Sequence, residues 1–415
     1  MSVPLVGSVD TAVMGHLPDP AYIGAVALGA VVFSFLYWGF GFLRMGTTGF
    51  AAQAYGAGDA LEVRSSLGRG LLLAGCLGSA VVALHVPIGA LAWRLFGATE
   101  QVETLAAAYY AIRVWSAPAA LANYALLGFF IGIQNTRVAL ALQLALNGVN
   151  VALDLLFVVG FGWGVRGVAL ASLVSEYAAV AMGLAAAGIQ LRRIGGEWQW
   201  IRLLESDRLR ALLHVNFNIL VRTLCLIFAF AWFTNTGARL GEVVLAANAV
   251  LMQLQMFLSY GLDGFAHAAE ALAGGAYGAR NRDAFRSAVR ASTLWAFAVA
   301  AIYALVYAAA GPFIIDVMTS LEAVRTEARA YLPWLVVSPL LCVWSFQLDG
   351  VFIGATRPVE MRNGMILSLA AYLAATYLLV PPWGNHGLWL SLMVFMVARA
   401  VTLGLWFPRI ERGIA

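Results

Sequence analysis

The chain has 415 residues, 62% of them hydrophobic and only 11% charged, with a mean hydropathy of +0.83. A soluble domain carries roughly 25% charged residues, so these polar groups are too few to cover a water-facing surface, and lipid must be the solvent for most side chains. The net charge of +4 does not point to nucleic acid, because all 25 basic residues are arginines in short runs between apolar stretches, such as Arg192-Arg193 and Arg280/Arg282/Arg286/Arg290.

In chain order, apolar stretches bounded by turn and charge signals predict about twelve transmembrane helices. They lie at 2–15, 21–55, 66–96, 104–131, 136–161, 165–191, 211–236, 243–277, 284–314, 328–355, 363–382 and 386–408. The first is short: residues 1–15 reach about 22 Å, against a hydrocarbon core of ~30 Å. It lacks the basic lead of a secretory signal. Cys76, Cys225 and Cys342 each fall in an apolar stretch and read as small buried hydrophobes rather than disulfide or zinc partners.

Arginine placement suggests an orientation. With both termini cytoplasmic, 16 of the 25 arginines lie in inside loops and the tail, and five lie outside. Arg44, Arg113, Arg222 and Arg399 fall within or at the edges of spans, where pairing with acids or snorkelling to the interface is the ordinary fate; contact with an anionic substrate is the sharper alternative.

The sequence repeats itself. Ala54-Tyr55-Gly56-Ala57 recurs as Ala276-Tyr277-Gly278-Ala279, Arg64-Ser65 as Arg286-Ser287, and Phe130-Ile131-Gly132 as Phe352-Ile353-Gly354, all at an offset of 222. Trp163-Gly164 recurs as Trp383-Gly384 at 220. The expected fold is therefore an all-α polytopic membrane protein of two pseudo-symmetric six-helix lobes, 1–191 and 211–415, joined by a charged cytoplasmic linker at 192–210. By this alignment residue 2 matches residue 224 while the seventh span starts near 211, so about 13 residues of a full first helix are expected to be missing.

An ionisable group at bilayer depth is expensive and marks a functional candidate. Gln143, Asn147, Asn150 and Asp154 stand at spacings of 4, 3 and 4, which makes one polar stripe on an apolar helix. Asp10, Ser172, Ser175 and Glu176 are positioned to face it. The stripe reads as a cation or proton site centred on Asp10 and Asp154, including Na+ as a possible metal; the alternative is a helix-packing seam. Asp263, His267 and Glu270 share one face of the eighth span, and Asp349 lies in the tenth, as a possible second polar site. At the offset of 222 the eighth-span trio falls opposite Gly41, Met45 and Thr48, which do not titrate near neutral pH, so this acidic face belongs to the second half alone. Walker A, GxSxG and HExxH patterns are absent from the sequence, so no catalytic residue is assigned and transport would draw on an ion gradient.

Pro4, Val9-Asp10-Thr11, Gly15-His16, Arg44-Met45-Gly46-Thr47-Thr48-Gly49-Phe50 and Gln53-Ala54-Tyr55-Gly56 resemble the multidrug and toxic compound extrusion (MATE) family. Asp349-Gly350-Val351-Phe352-Ile353-Gly354-Ala355-Thr356 is similar to its DinF-like branch. The resemblance spans essentially the whole chain. It implies twelve helices in two lobes around a cavity, in an inner-membrane efflux antiporter that exports organic, mostly cationic compounds against H+ or Na+. It also implies a coupling site at Asp10, Asn150 and Asp154, with Ser172 in a polar place nearby. No cofactor beyond the coupling ion, no nucleic-acid partner and a monomer are expected. Two alternatives stay open: a lipid-linked oligosaccharide flippase, which would want a more basic cavity, and an intramembrane enzyme using Asp263, His267 and Glu270.

Overall fold

The computed structural model describes residues 20–97 and 99–414, so the short span at 2–15, with Asp10, lies outside the described residues. The described chain is helical, with no strand. Its first half runs through α1 (Pro20–Gly39), α2 (Phe42–Gly56), α3 (Ala60–Ala83), α4 (His85–Phe96), α5 (Glu100–Arg113), α6 (Ala117–Gly132), α7 (Thr136–Asp154) and α8 (Gly164–Ile194). A single turn, α9 (Trp200–Leu203), leads to α10 (Ser206–Arg239), α11 (Glu242–Gly278), α12 (Arg282–Met318), α13 (Glu322–Gly354) and α14 (Pro358–Arg412).

Among the described residues, ten helical stretches are long and apolar enough to cross a membrane. The longest, α14, breaks at Gly384, whose φ of 53° and ψ of −129° are not helical; it thus holds both predicted spans, 363–382 and 386–408. With the undescribed stretch 2–15, the count agrees with about twelve spans. The predicted span 66–96 divides at Leu84 into α3 and α4. The predicted span 104–131 carries a 3-10 turn at Val114–Ser116, because Pro118, in the first turn of α6, has no N–H to continue a regular helix. Large apolar side chains lie exposed all along these helices, among them Leu95, Phe313 and Leu405 at 70% or more, as a lipid solvent requires. Cys76 is exposed on such a face, not buried as expected, while Cys342 is buried.

The internal repeat is written in the backbone as well. Gly58 and Arg280, 222 positions apart, both take left-handed φ of 70° and 53°, and so do Gln134 and Thr356 at 60° and 48°. Each closes a helix by donating to the carbonyl three residues back, as Gln134 N does to Ile131 O and Thr356 N to Ile353 O, both at 2.9 Å. The next residue caps the following helix: Asp59 accepts from Glu62 N, and its counterpart Asn281 accepts from Ala284 N, each at 2.9 Å.

The helices fall into two compact units, one of residues 1–51 and 59–210, the other of 52–58 and 211–415. In the first, Phe33, Tyr109, Tyr110 and Val114 centre a buried aromatic core. In the second, Phe233, Tyr372, Trp389 and Phe395 do so. The last turn of α2 packs inside the second unit, where Gln53 Nε2 donates to Gly354 O at 2.9 Å and to Thr356 Oγ1 at 3.0 Å. Glycine makes this approach possible, since a Cβ on Gly274 would stand 2.9 Å from both Ala52 Cβ and the Gly354 oxygen.

Candidate functional site

The polar stripe of α7 becomes a buried cluster at its far end. Gln143 and Asn147 are half-buried and bond each other, Nε2 to Oδ1, at 3.4 Å. One turn on, Asn150 is 4% exposed, and Asp154 is completely buried. Ser172 and Ser175 on α8 are buried beside them. Asn150 Nδ2 reaches Ser172 Oγ at 3.5 Å, a long and therefore weak bond. Directly after Asp154 the helix loosens into a π-helical turn, Leu155–Gly160, with Phe161 N bonded to Leu156 O five residues back at 3.0 Å. Such turns are rare and gather at functional positions.

Arg113, read from sequence as an arginine within or at the edge of a span that pairs with an acid or snorkels, sits in this cluster. Its Nη1 donates to Ser172 Oγ at 3.2 Å and also to the Tyr109 hydroxyl. Its guanidinium lies 5.3 Å from the Phe33 ring centroid and 5.5 Å from that of Tyr109, within cation–π range. Ser116 Oγ donates to the Arg113 carbonyl at 2.7 Å and stands 3.2 Å from the Tyr37 hydroxyl, which ties α1 to the start of α6. Glu176 turns to another partner, accepting from Asn123 Nδ2 at 2.7 Å.

Chemically, the cluster offers hard oxygen ligands. The Asp154 carboxylate, the Ser172 hydroxyl and the Asn150 amide oxygen, which has no hydrogen-bond donor among the described residues, suit a proton or an alkali cation. A guanidinium already donating to Ser172 competes with any second cation for that oxygen.

The second polar set is divided between two helices. Asp263, His267 and Glu270 all lie on α11, with Glu270 1% exposed and the other two half-buried. Among the described residues, no three His, Cys, Asp or Glu side chains gather to hold a metal, so this trio does not make the metal centre that an enzyme reading would use. Asp349 on α13 takes its partners from elsewhere: Arg222 Nη2 of α10 and Arg399 Nη2 of α14 both donate to its Oδ2, the latter at 2.6 Å. No pattern on any one helix announces that cluster, because its members stand 127 and 50 residues from Asp349.

The MatE family profile matches residues 1–156 and 219–379. DNA damage-inducible protein F of Escherichia coli (strain K12) is 44% identical over 409 residues, covering 97% of this chain and 88% of that protein. Among solved structures, one described as MATE in the bent conformation superposes with a TM-score of 0.90 at 21% identity, covering 99% of this chain and 92% of its own. Another, the outward-facing conformation of a multidrug resistance MATE family transporter, gives 0.89 at 21% identity, with coverage of 99% and 93%.

Proposed function

Since the chain belongs to the MatE family of multidrug and toxic compound efflux transporters, we propose that it exports organic, mostly cationic compounds in exchange for H+ or Na+ by alternating access. The observation that carries this reading is the fully buried Asp154 one turn from Asn150, with Asn150 in contact with Ser172. A carboxylate out of water binds a cation or proton strongly and changes its interactions sharply when it does so. Asp10 completes the site in this scheme. Entry of the coupling ion from outside, shared by Asp10 and Asp154, cancels one of their two charges, weakens their hold on a cationic compound, and lets that compound leave; the ion then departs inward.

The energetics suffice. One elementary charge moving inward gains about 2.3 kcal/mol per 100 mV, enough for roughly a fiftyfold gradient of an uncharged compound; for a monovalent cation exchanged one for one the potential cancels, and the concentration gradient of the ion drives export. The same reading sets the chain in the inner membrane as a monomer, with both termini and the 192–210 linker in the cytoplasm, as 16 inside against five outside arginines favour.

The test is gradient-driven transport of a fluorescent organic cation in proteoliposomes, with imposed pH or sodium gradients. Asp154→Asn and Asp10→Asn in the full-length chain should each abolish ion-driven export and leave facilitated, gradient-independent movement of the cation. Full ion-driven export by both variants would overturn the assignment, and the gradient that drives the wild type identifies the ion.

A further inference from the structure

We propose that the Arg222–Asp349–Arg399 cluster of the second unit is a binding site for a single negative charge: a halide, or the carboxylate of an organic acid, sharing the two guanidiniums with Asp349. The charges do not balance as they stand. Two arginines converge on one carboxylate oxygen, and among the described residues no other acid forms an ion pair with either of them. All three are withdrawn from solvent: Arg222 is 6% exposed, Asp349 7% and Arg399 4%. A net positive charge at this depth is costly unless something compensates it.

The donors are also under-used. A guanidinium carries five N–H groups in a rigid fork that matches carboxylates. Yet Nε of Arg222 and Nε of Arg399 are buried and have no acceptor among the described residues. Arg399 Nη1 settles for the thioether of Met396 at 3.3 Å, a weak acceptor. The Phe395 and Phe346 rings stand 5.7 and 5.9 Å from its guanidinium carbon. They soften the charge without neutralising it.

Packing of the repeat does not demand this arrangement. The position matching Asp349 at the offset of 222 holds Leu127, and the one matching Arg399, at the offset of 220 that applies from Trp383 onward, holds Ala179. The charge was therefore introduced into one half only, on helices that pack without it in the other.

Binding is measured on the full chain in detergent with no ion gradient, so its outcome is independent of coupling at Asp154. Radiolabelled chloride and 1-naphthoate are the probes, with gluconate as the bulky reference anion at constant ionic strength. Saturable binding of either probe is expected, and the stronger of the two identifies an inorganic ion or an organic acid as the occupant. Arg222→Gln and Arg399→Gln should each weaken it tenfold or more. Asp349→Asn, which removes the resident competitor, should tighten it tenfold or more. If Asp349→Asn unfolds in gluconate, added formate or chloride should restore its thermal midpoint. Absence of saturable binding in both wild type and Asp349→Asn overturns the proposal, as does an Asp349→Asn protein that no small anion stabilises.

Discussion

Arg113 shows how a single side chain alters the meaning of a site. A charged hydrogen bond is worth about 1.5–3 kcal/mol, and Arg113 makes such bonds to Ser172 and Tyr109 while resting against two aromatic faces. Arg113→Gln should lower ion-driven export roughly ten- to a hundredfold with thermal stability largely kept. Arg113→Lys should not restore it, since a point charge cannot reproduce the planar fork and its stacking. Initial rates in proteoliposomes, read beside thermal midpoints, check both. The stripe containing Asn150 and Asp154 is legible in the sequence because its members recur at the helical period on one segment. Arg113 is harder to place from the sequence, because Tyr109 and Ser172, which accept its hydrogen bonds, lie four and 59 residues away.

At the scale of elements, helix ends and close approaches decide the architecture. The spans are legible from apolar length alone, and the places where α14 breaks and α6 begins carry a glycine and a proline that the sequence displays. Which helices touch is legible only in part. Gly274 reads as one glycine among 42, and only the packed structure shows the Ala52 methyl and the Gly354 carbonyl pressed against it. Gly274→Ala should therefore cost about 1–3 kcal/mol, the usual cost of overpacking. Gly75→Ala on α3, with nothing within 4 Å of its added methyl, should gain about 0.5–1 kcal/mol by helix propensity. Thermal unfolding of the two variants in the same detergent should move the midpoint in opposite directions.

At the scale of the whole molecule, duplication is legible in the strings repeated at 222 and is seen again in paired left-handed residues and paired caps. The orientation assigned to it predicts that Ser206→Cys, with Cys76, Cys225 and Cys342 replaced by alanine, reacts with a membrane-impermeant maleimide in inside-out vesicles and not in intact cells. Labelling of intact cells would invert the topology. The π-helical turn at Leu155–Gly160 has a consequence beyond its own six residues. A helix wound more loosely just past Asp154 stores slack, a surplus of chain that can be drawn in by tightening to α-geometry. Taking it up would swivel the segment beyond Gly160 about the helix axis while Asp154 stays anchored, so a small change at one carboxylate has a ready means of becoming a rotation of everything above it.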